Sequence, residues 1–252
     1  MDFRFDMNAV EAVMLAGVRI VAFLVIAPPF SYKAIPGNVK AMLAVGLAIA
    51  VGPRVIPGYQ AQTTGDFFVS LVLEVVAGAI LGFLVWLVFA AIQSAGSAID
   101  LFGGFQMAQA YDPQSMINGA QFTRLFQMTS LVLMFTSGGY QLVIGGLLRT
   151  FDAIPIGVGM DLSNPAALIV KATTQMFLAT LQIAGPLIVV LFLADAGLGL
   201  LTRVAPALNA FQLGYPLKIM ITLGLAGMVF VALPQVVSQL SQQAVTVLMG
   251  AR

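Results

Sequence analysis

The sequence predicts an all-α, polytopic membrane protein with interrupted helices and a mid-chain re-entrant plug loop. Three observations predict it. Hydrophobic residues make up 60% of the 252-residue chain and charged ones only 8%, against roughly one-quarter charged in soluble domains, and mean hydropathy is +1.00. The apolar residues fall in long runs of helical length, one of which, 75–99, contains no charge. Between two such runs lies the stretch from Phe102 to Gly119. There Gly103-Gly104 and Asp112-Pro113 disfavour continuous helix, while Phe, Met, Tyr and Ile make the segment too apolar for a solvated loop. Unpaired backbone groups cost several kcal/mol each in hydrocarbon, so such a loop needs protein cover.

In chain order, Val10, Val13, Met14, Ile20, Val21, Phe23 and Leu24 suit a first helix that Pro28-Pro29 stops, with Glu11 and Arg19 inside it. After the turn 30–38, a second helix over 39–51 is closed by Gly52-Pro53-Arg54. It reads as too short to cross about 30 Å of hydrocarbon, which takes about 20 residues. An N-cap around Thr64 to Asp66 opens a helix to about Phe102. A helix over 121–148 follows the plug, with Gly138-Gly139 as a kink or a seat for a neighbour. A polar turn over 152–164 leads to Pro165, a favoured first-turn residue, and an apolar run over 172–194 with Asp195 near its end. The segment 203–218 reads as a second irregular stretch. Helix resumes over 219–233, Pro234 bends or breaks it, and the tail is Gln/Ser-rich and amphipathic. Hydropathy gives five or six spans. Basic residues at Lys33, Arg54, Arg124, Arg149, Arg203 and Lys218 give little bias toward one side.

Composition narrows the chemistry. Net charge +1, from 11 basic and 10 acidic residues, provides no field to attract nucleic acid. The absence of Cys and His removes disulfides, thiolate and imidazole metal ligands, and the usual nucleophile and base, so no metal or cofactor is expected. Phe102-Gly103-Gly104 is not a phosphate loop, since no Gly-Lys-Ser/Thr follows. The acidic N-terminus and Arg19 do not fit a cleaved secretory signal.

Glu11, Arg19, Lys40, Glu74, Asp195, Arg203 and Lys218 lie in or at the edges of apolar helices, where a central charge costs about 2.5–3.5 kcal/mol on insertion scales. Each needs a partner. Glu74 and Asp195 read either as a proton relay or, the favoured reading, as members of buried ion pairs or subunit contacts together with Arg19, Lys40, Arg203 and Lys218. Gly78 and Gly82 form a Gly-x-x-x-Gly face for close helix packing, within the chain or to a neighbour, and Gly96, Gly197, Gly199, Gly224 and Gly227 repeat the small-residue theme. In the plug segment the candidate residues are Phe102, Gly103, Gly104, Phe105, Gln106, Met107, Gln109, Tyr111, Asp112, Pro113 and Met116. Flexible thioethers there can seal a conduit by repacking, or simply fill a core.

Arg19, Pro28-Pro29, Pro36 and Lys40, then Glu74 with Gly78 and Gly82, then Ala98-Ile99-Asp100 before Gly103-Gly104-Phe105 and Asp112-Pro113, belong to one pattern. It is completed by Arg203-Val204-Ala205-Pro206 and Phe211-Gln212-Leu213-Gly214-Tyr215-Pro216-Leu217-Lys218. Together they resemble the flagellar biosynthetic protein FliR family, the R subunit of the type III secretion export gate. The resemblance covers nearly the whole chain, and Phe211 to Gly214 is closer to the flagellar form than to the virulence one. Leu101-Phe102 departs from the family, where a Gln is common nearby.

The resemblance implies an R subunit in a closed helical hetero-oligomer with P- and Q-type subunits, in the inner membrane at the flagellar basal body. It implies that 1–120 resembles a P-type subunit and ends in the plug, while 121–252 resembles a Q-type subunit. Helices raised out of the bilayer, a B-type export protein, other basal-body export components and unfolded flagellar substrates are implied in the same way. On that reading the chain is a non-enzymatic conduit subunit that meets lipid but no nucleic acid. The alternative is a proton-coupled secondary transporter of a small solute, using Glu74 and Asp195. An intramembrane enzyme is disfavoured, because an aspartyl protease would have only the distant Asp100 and Asp195 to use.

Overall fold

A computed structural model describes residues 7–105, 121–157, 165–205 and 210–249. Seven α-helices and no strand occur among them. They are α1 (Met7–Ile26), α2 (Gly37–Val55), α3 (Thr64–Phe102), α4 (Gln121–Thr136), α5 (Gly139–Ala153), α6 (Pro165–Val204) and α7 (Ala210–Met249). Among the described residues five helices, α1, α2 with its 3-10 extension, α3, α6 and α7, are long and apolar enough to cross a membrane, with α4 and α5 a sixth if counted as one broken span. Contacts divide the chain into two compact units. One comprises Met1–Val88, Gly138–Ala172 and Leu240–Arg252, the other Phe89–Ser137 and Thr173–Gln239.

In the first unit, α1 buries Ala12, Leu15, Ala16, Arg19, Ile20 and Phe23, spaced three and four apart on one face, while Met14, Val21 and Val25 stay exposed. The α1 stop at Ile26 fits the expected effect of Pro28-Pro29. Gly17 faces Ala48 and Gly52 faces Val13, so α1 and α2 run antiparallel. Against α3 the register is parallel, with Gly78 on the Arg19 carbonyl and Ala22, and Gly82 on the Phe23 carbonyl and Ile26. The α3 N-terminus is capped by Thr63, whose Oγ1 accepts the Asp66 N–H at 3.3 Å and donates to its carboxylate at 2.7 Å.

The second helix corrects an expectation: α2 is not short. It runs from Gly37 through Val55 and continues as a 3-10 turn to Gly58, 22 residues in all. Pro53 lies in its last turns, where only one backbone bond is lost and Gly52, lacking a Cβ, relieves the clash a proline imposes on its predecessor. The helix expected over 121–148 is two helices, divided at Ser137-Gly138, where Gly138 takes φ +73° as only glycine does readily. The irregular stretch expected through Lys218 is largely helical, because α6 extends to Val204 and α7 already starts at Ala210. Pro186, Pro216 and Pro234 all sit inside helices. In a long apolar helix the bonds on either side of a proline persist, since hydrocarbon offers the backbone no other partner. Asp195 consequently lies inside α6 rather than near its end.

The second unit builds its core from Ile92, Ala95 and Ile99 of α3, Phe122, Phe126 and Met134 of α4, Leu187 and Leu191 of α6 and Leu233 of α7. A Cβ on Gly96 would stand 2.7 Å from the Phe122 carbonyl oxygen, so α3 and α4 meet backbone to backbone. Leu198 reaches Gly214, and Asp195 reaches Lys218, which sets α6 and α7 antiparallel. The edge-to-face rings of Phe105, Phe122, Phe126 and Phe230 tie the α3 end, α4 and α7 together.

Candidate functional site

Arg19 sits in the middle of the buried α1 face, and both it and Glu74 are wholly buried. Its Nε donates to Glu74 Oε2 at 2.5 Å and its Nη2 to Oε1 at 3.0 Å, a bidentate pair. The remaining guanidinium nitrogen, Nη1, donates to the Ile154 carbonyl at 2.9 Å, and the Phe151 ring lies 4.4 Å from Cζ. Glu74 Oε1 also accepts the Gly157 N–H at 3.2 Å. Desolvating two ions is costly, and it is tolerated where geometry and added hydrogen bonds are this complete. The pair therefore ties α1 and α3 to the turn after α5. Nearby, Tyr59 donates to Glu11 at 3.0 Å, giving that intrahelical acid a partner. Burial, reinforced by the Glu11 hydrogen bond and charge, pushes the Tyr59 phenol up to about 12.

Asp195 has its own cation, Lys218 Nζ at 2.6 Å. Both carboxylates that a proton relay would use are thus paired with a cation, as the ion-pair reading expects. The Asp195–Lys218 pair is partly exposed on the isolated chain, with Asp195 at 45%, but it joins two helices apolar enough to cross a membrane, where a charge needs its partner. Asp195→Asn leaves Lys218 without its counter-charge in an apolar helix and is expected to lower the thermal midpoint of the purified protein; an unchanged midpoint would show that the pair is not structural. Lys40 and Arg203 make no ion pair among the described residues. Gly78 and Gly82 lie where α1 and α3 cross.

Of the plug candidates, Phe102, Gly103, Gly104 and Phe105 are described, whereas Gln106, Met107, Gln109, Tyr111, Asp112, Pro113 and Met116 lie outside the described residues. α3 ends in a glycine turn. Gly104 adopts φ +81°, the Phe105 N–H reaches the Asp100 carbonyl at 3.0 Å and the Gly104 N–H the Leu101 carbonyl at 3.4 Å. That pattern closes a helix through a left-handed residue. A Cβ on Gly104 would stand 2.9 Å from the Tyr215 ring, and one on Gly103 2.8 Å from Thr222 Oγ1, so α7 packs directly on this turn.

Sequence reasoning missed Asp100 as a member of this site. It is wholly buried, its Oδ1 accepting the Phe122 N–H at 2.9 Å and its Oδ2 the Thr123 N–H and hydroxyl, both at 2.8 Å. The carboxylate on α3 thereby caps the first turn of α4 from another helix. An acid just before a glycine pair was the visible signal, but its donors lie 22 and 23 residues away. Ile154, Phe151 and Gly157 were missed for the same reason.

The sequence model of the bacterial export proteins, family 1, matches residues 10–244. The chain belongs to this family. Among its relatives, flagellar biosynthetic protein FliR of Escherichia coli strain K12 is 34% identical over 209 residues, covering 82% of this chain and 80% of that protein. The FliR protein of Bacillus subtilis strain 168 is 28% identical over 214 residues, 84% and 83% of the two chains. Yop proteins translocation protein T of Yersinia pestis is 27% identical over 206 residues, 79% and 78%. Membership in the export-protein family, with flagellar and Yop translocation proteins as relatives, makes the chain an export-gate subunit of a type III secretion system in a membrane.

Proposed function

We propose that this subunit forms, with P- and Q-type subunits, the pore through which unfolded flagellar proteins cross the bacterial inner membrane at the basal body, and that the segment beginning at Phe102 plugs the pore at rest. The subunit is a conduit and not an enzyme; an ATPase and the proton-motive force, supplied elsewhere, drive export, and a B-type export protein and other basal-body export components are its further partners. Its first part, 1–120, is the P-like half and 121–252 the Q-like half.

The observation that carries this reading is the base of the plug. α3 closes at Gly104 and α4 opens beside it on the Asp100 carboxylate, so the intervening chain leaves and re-enters at one place. Two further features support it. α3, α6 and α7 hold 39, 40 and 40 residues, a contour of about 60 Å each at 1.5 Å per residue, twice the roughly 30 Å of hydrocarbon. Such helices suit an assembly raised out of the bilayer. Much of the outer surface is apolar as well: only 17% of the most apolar stretch of Gly214–Gln239 is buried within the chain, and Met220, Leu223, Met228 and Val231 stand exposed. Neighbouring subunits or lipid must cover them.

Deleting 106–114, which spares the α3 closing turn, is expected to leave the complex assembled and make the membrane permeable to ions, read as dye-reported depolarisation of cells. A deletion that changes neither ion permeability nor export would refute the plug.

A further inference from the structure

α6 and α7 enclose a cleft of about 450 Å³, lined by Pro186 and Val190 on one side and by Leu225, Met228, Ala232 and Val236 on the other. Gln182 is the one polar side chain among the described residues that line it, and Val190 and Met228 on its walls are exposed. From Leu225 to Val236 the cleft runs about 16 Å at 1.5 Å per residue. That is the depth of one leaflet, half of the roughly 30 Å of hydrocarbon. The Asp195–Lys218 pair stands beyond one end of it. Along the helix axes Val190 lies about 7 Å from Asp195 and Leu225 about 10 Å from Lys218, and the headgroup layer on each side of a bilayer is about 5–8 Å thick. Lys218 also lies on the cleft's own face, because Lys218, Thr222, Leu225, Val229, Ala232 and Val236 follow one another at alternate steps of four and three. α6 is free of charge from 172 to 194, about 33 Å, so Asp195 marks an edge of the apolar slab.

We propose that the cleft and the ion pair beyond its end hold one phospholipid with a zwitterionic, primary-ammonium headgroup, phosphatidylethanolamine, one of whose acyl chains lies between α6 and α7. The inference uses only the membrane setting and stands apart from the plug. Charge complementarity selects the headgroup. Lys218 Nζ carries three N–H groups and engages Asp195 Oδ1 at 2.6 Å, which leaves donors for a phosphate. Asp195 is 45% exposed and has no partner besides Lys218 among the described residues, so its carboxylate is open to the lipid ammonium. Each protein charge then meets its opposite, through charge-assisted hydrogen bonds. An anionic phospholipid brings a phosphate without a cation and leaves Asp195 facing like charge. A choline headgroup brings a cation with no N–H to donate. The apolar walls cover the chain, as a cleft of this size and lining does for other apolar ligands.

The probe is phosphatidylethanolamine with a photoactivatable diazirine in mid-chain, added to the complex that contains this chain, extracted from its own membrane in mild detergent. Label is expected within 182–190 and 225–236, mapped by mass spectrometry of the digested chain. Unlabelled phosphatidylethanolamine is expected to compete at least about fivefold better than phosphatidylcholine or phosphatidylglycerol with the same acyl chains, the selectivity of one charge-assisted hydrogen bond. Ala232→Phe fills the cleft from its wall and leaves the ion pair untouched. It is expected to cut labelling about tenfold or more while the amount of complex stays the same. Where that variant does not assemble, the competition series on the unaltered complex decides. Equal competition by the three headgroups means that this face meets bulk lipid only, and overturns the proposal. Labelling unchanged in Ala232→Phe also overturns it. So does a cleft that takes no label because a helix of another subunit fills it, read as a crosslink from Met228→Cys to that subunit.

Discussion

Glu74→Gln is expected to reduce accumulation of folded protein severely, even though it changes one atom. The substitution leaves the Arg19 guanidinium buried beside a neutral amide whose single oxygen can accept only one of the two bonds the carboxylate took, with the Ile154 carbonyl and the Phe151 ring beside it and no counter-charge. Breaking a buried ion pair from one side costs about 3–5 kcal/mol, a large part of the roughly 5–15 kcal/mol that holds an ordinary domain folded. Removing both charges, as Arg19→Met with Glu74→Leu, is expected to recover much of the loss, since no ion is then left unpaired. Thermal unfolding of the purified protein in detergent reads both effects. A relay would behave differently. If Glu74 moved protons, Glu74→Gln would give a normally stable protein without transport, and a wild-type thermal midpoint in this variant would refute the structural role.

Gly78→Val is expected to be about as damaging, through sterics rather than charge. A Cβ at this position runs into the Arg19 carbonyl oxygen and lies 2.9 Å from the Ala22 Cβ. The obstruction is backbone, so no rotamer change relieves it and α1 must move away from α3. Overpacking of this kind costs about 1–3 kcal/mol and more where the backbone must shift. Here the shift also pulls Arg19 from Glu74, so a loss at or above the top of that range is expected. Gly197→Val provides the control, since no atom lies within 4 Å of a Cβ there. Comparable thermal midpoints for the two variants would show that the Gly78 crossing is not tight.

Features local in sequence were legible and features joined across the chain were not. Pro28-Pro29 after α1, the cap near Thr64 and the break at Gly138 follow from dihedral preferences and missing N–H groups within a few residues. The same rules overreached at Pro53 and Pro216, where helices continue because a nonpolar setting gives the backbone nowhere else to bond; at Pro234, expected to bend or break the helix, it does not break. The need of Arg19 and Glu74 for partners was readable from the cost of intramembrane charge. Their pairing was not, since they are 55 residues apart and Ile154 is 135 from Arg19. Gly103-Gly104 announced the end of α3 and the acid before them was visible, but the donors its carboxylate holds lie 22 and 23 residues further on, at the start of α4.

The central claim is that this chain works only as one member of a larger export assembly that shelters its apolar outer faces and its mid-chain break. The most direct measurement is the native mass of the particle that contains it, extracted from its own membrane in mild detergent. A particle many times heavier than the 26.5 kDa chain, with other integral membrane proteins in fixed ratio, is the expected result. A stable, monodisperse particle holding one copy of this chain and nothing else would contradict it.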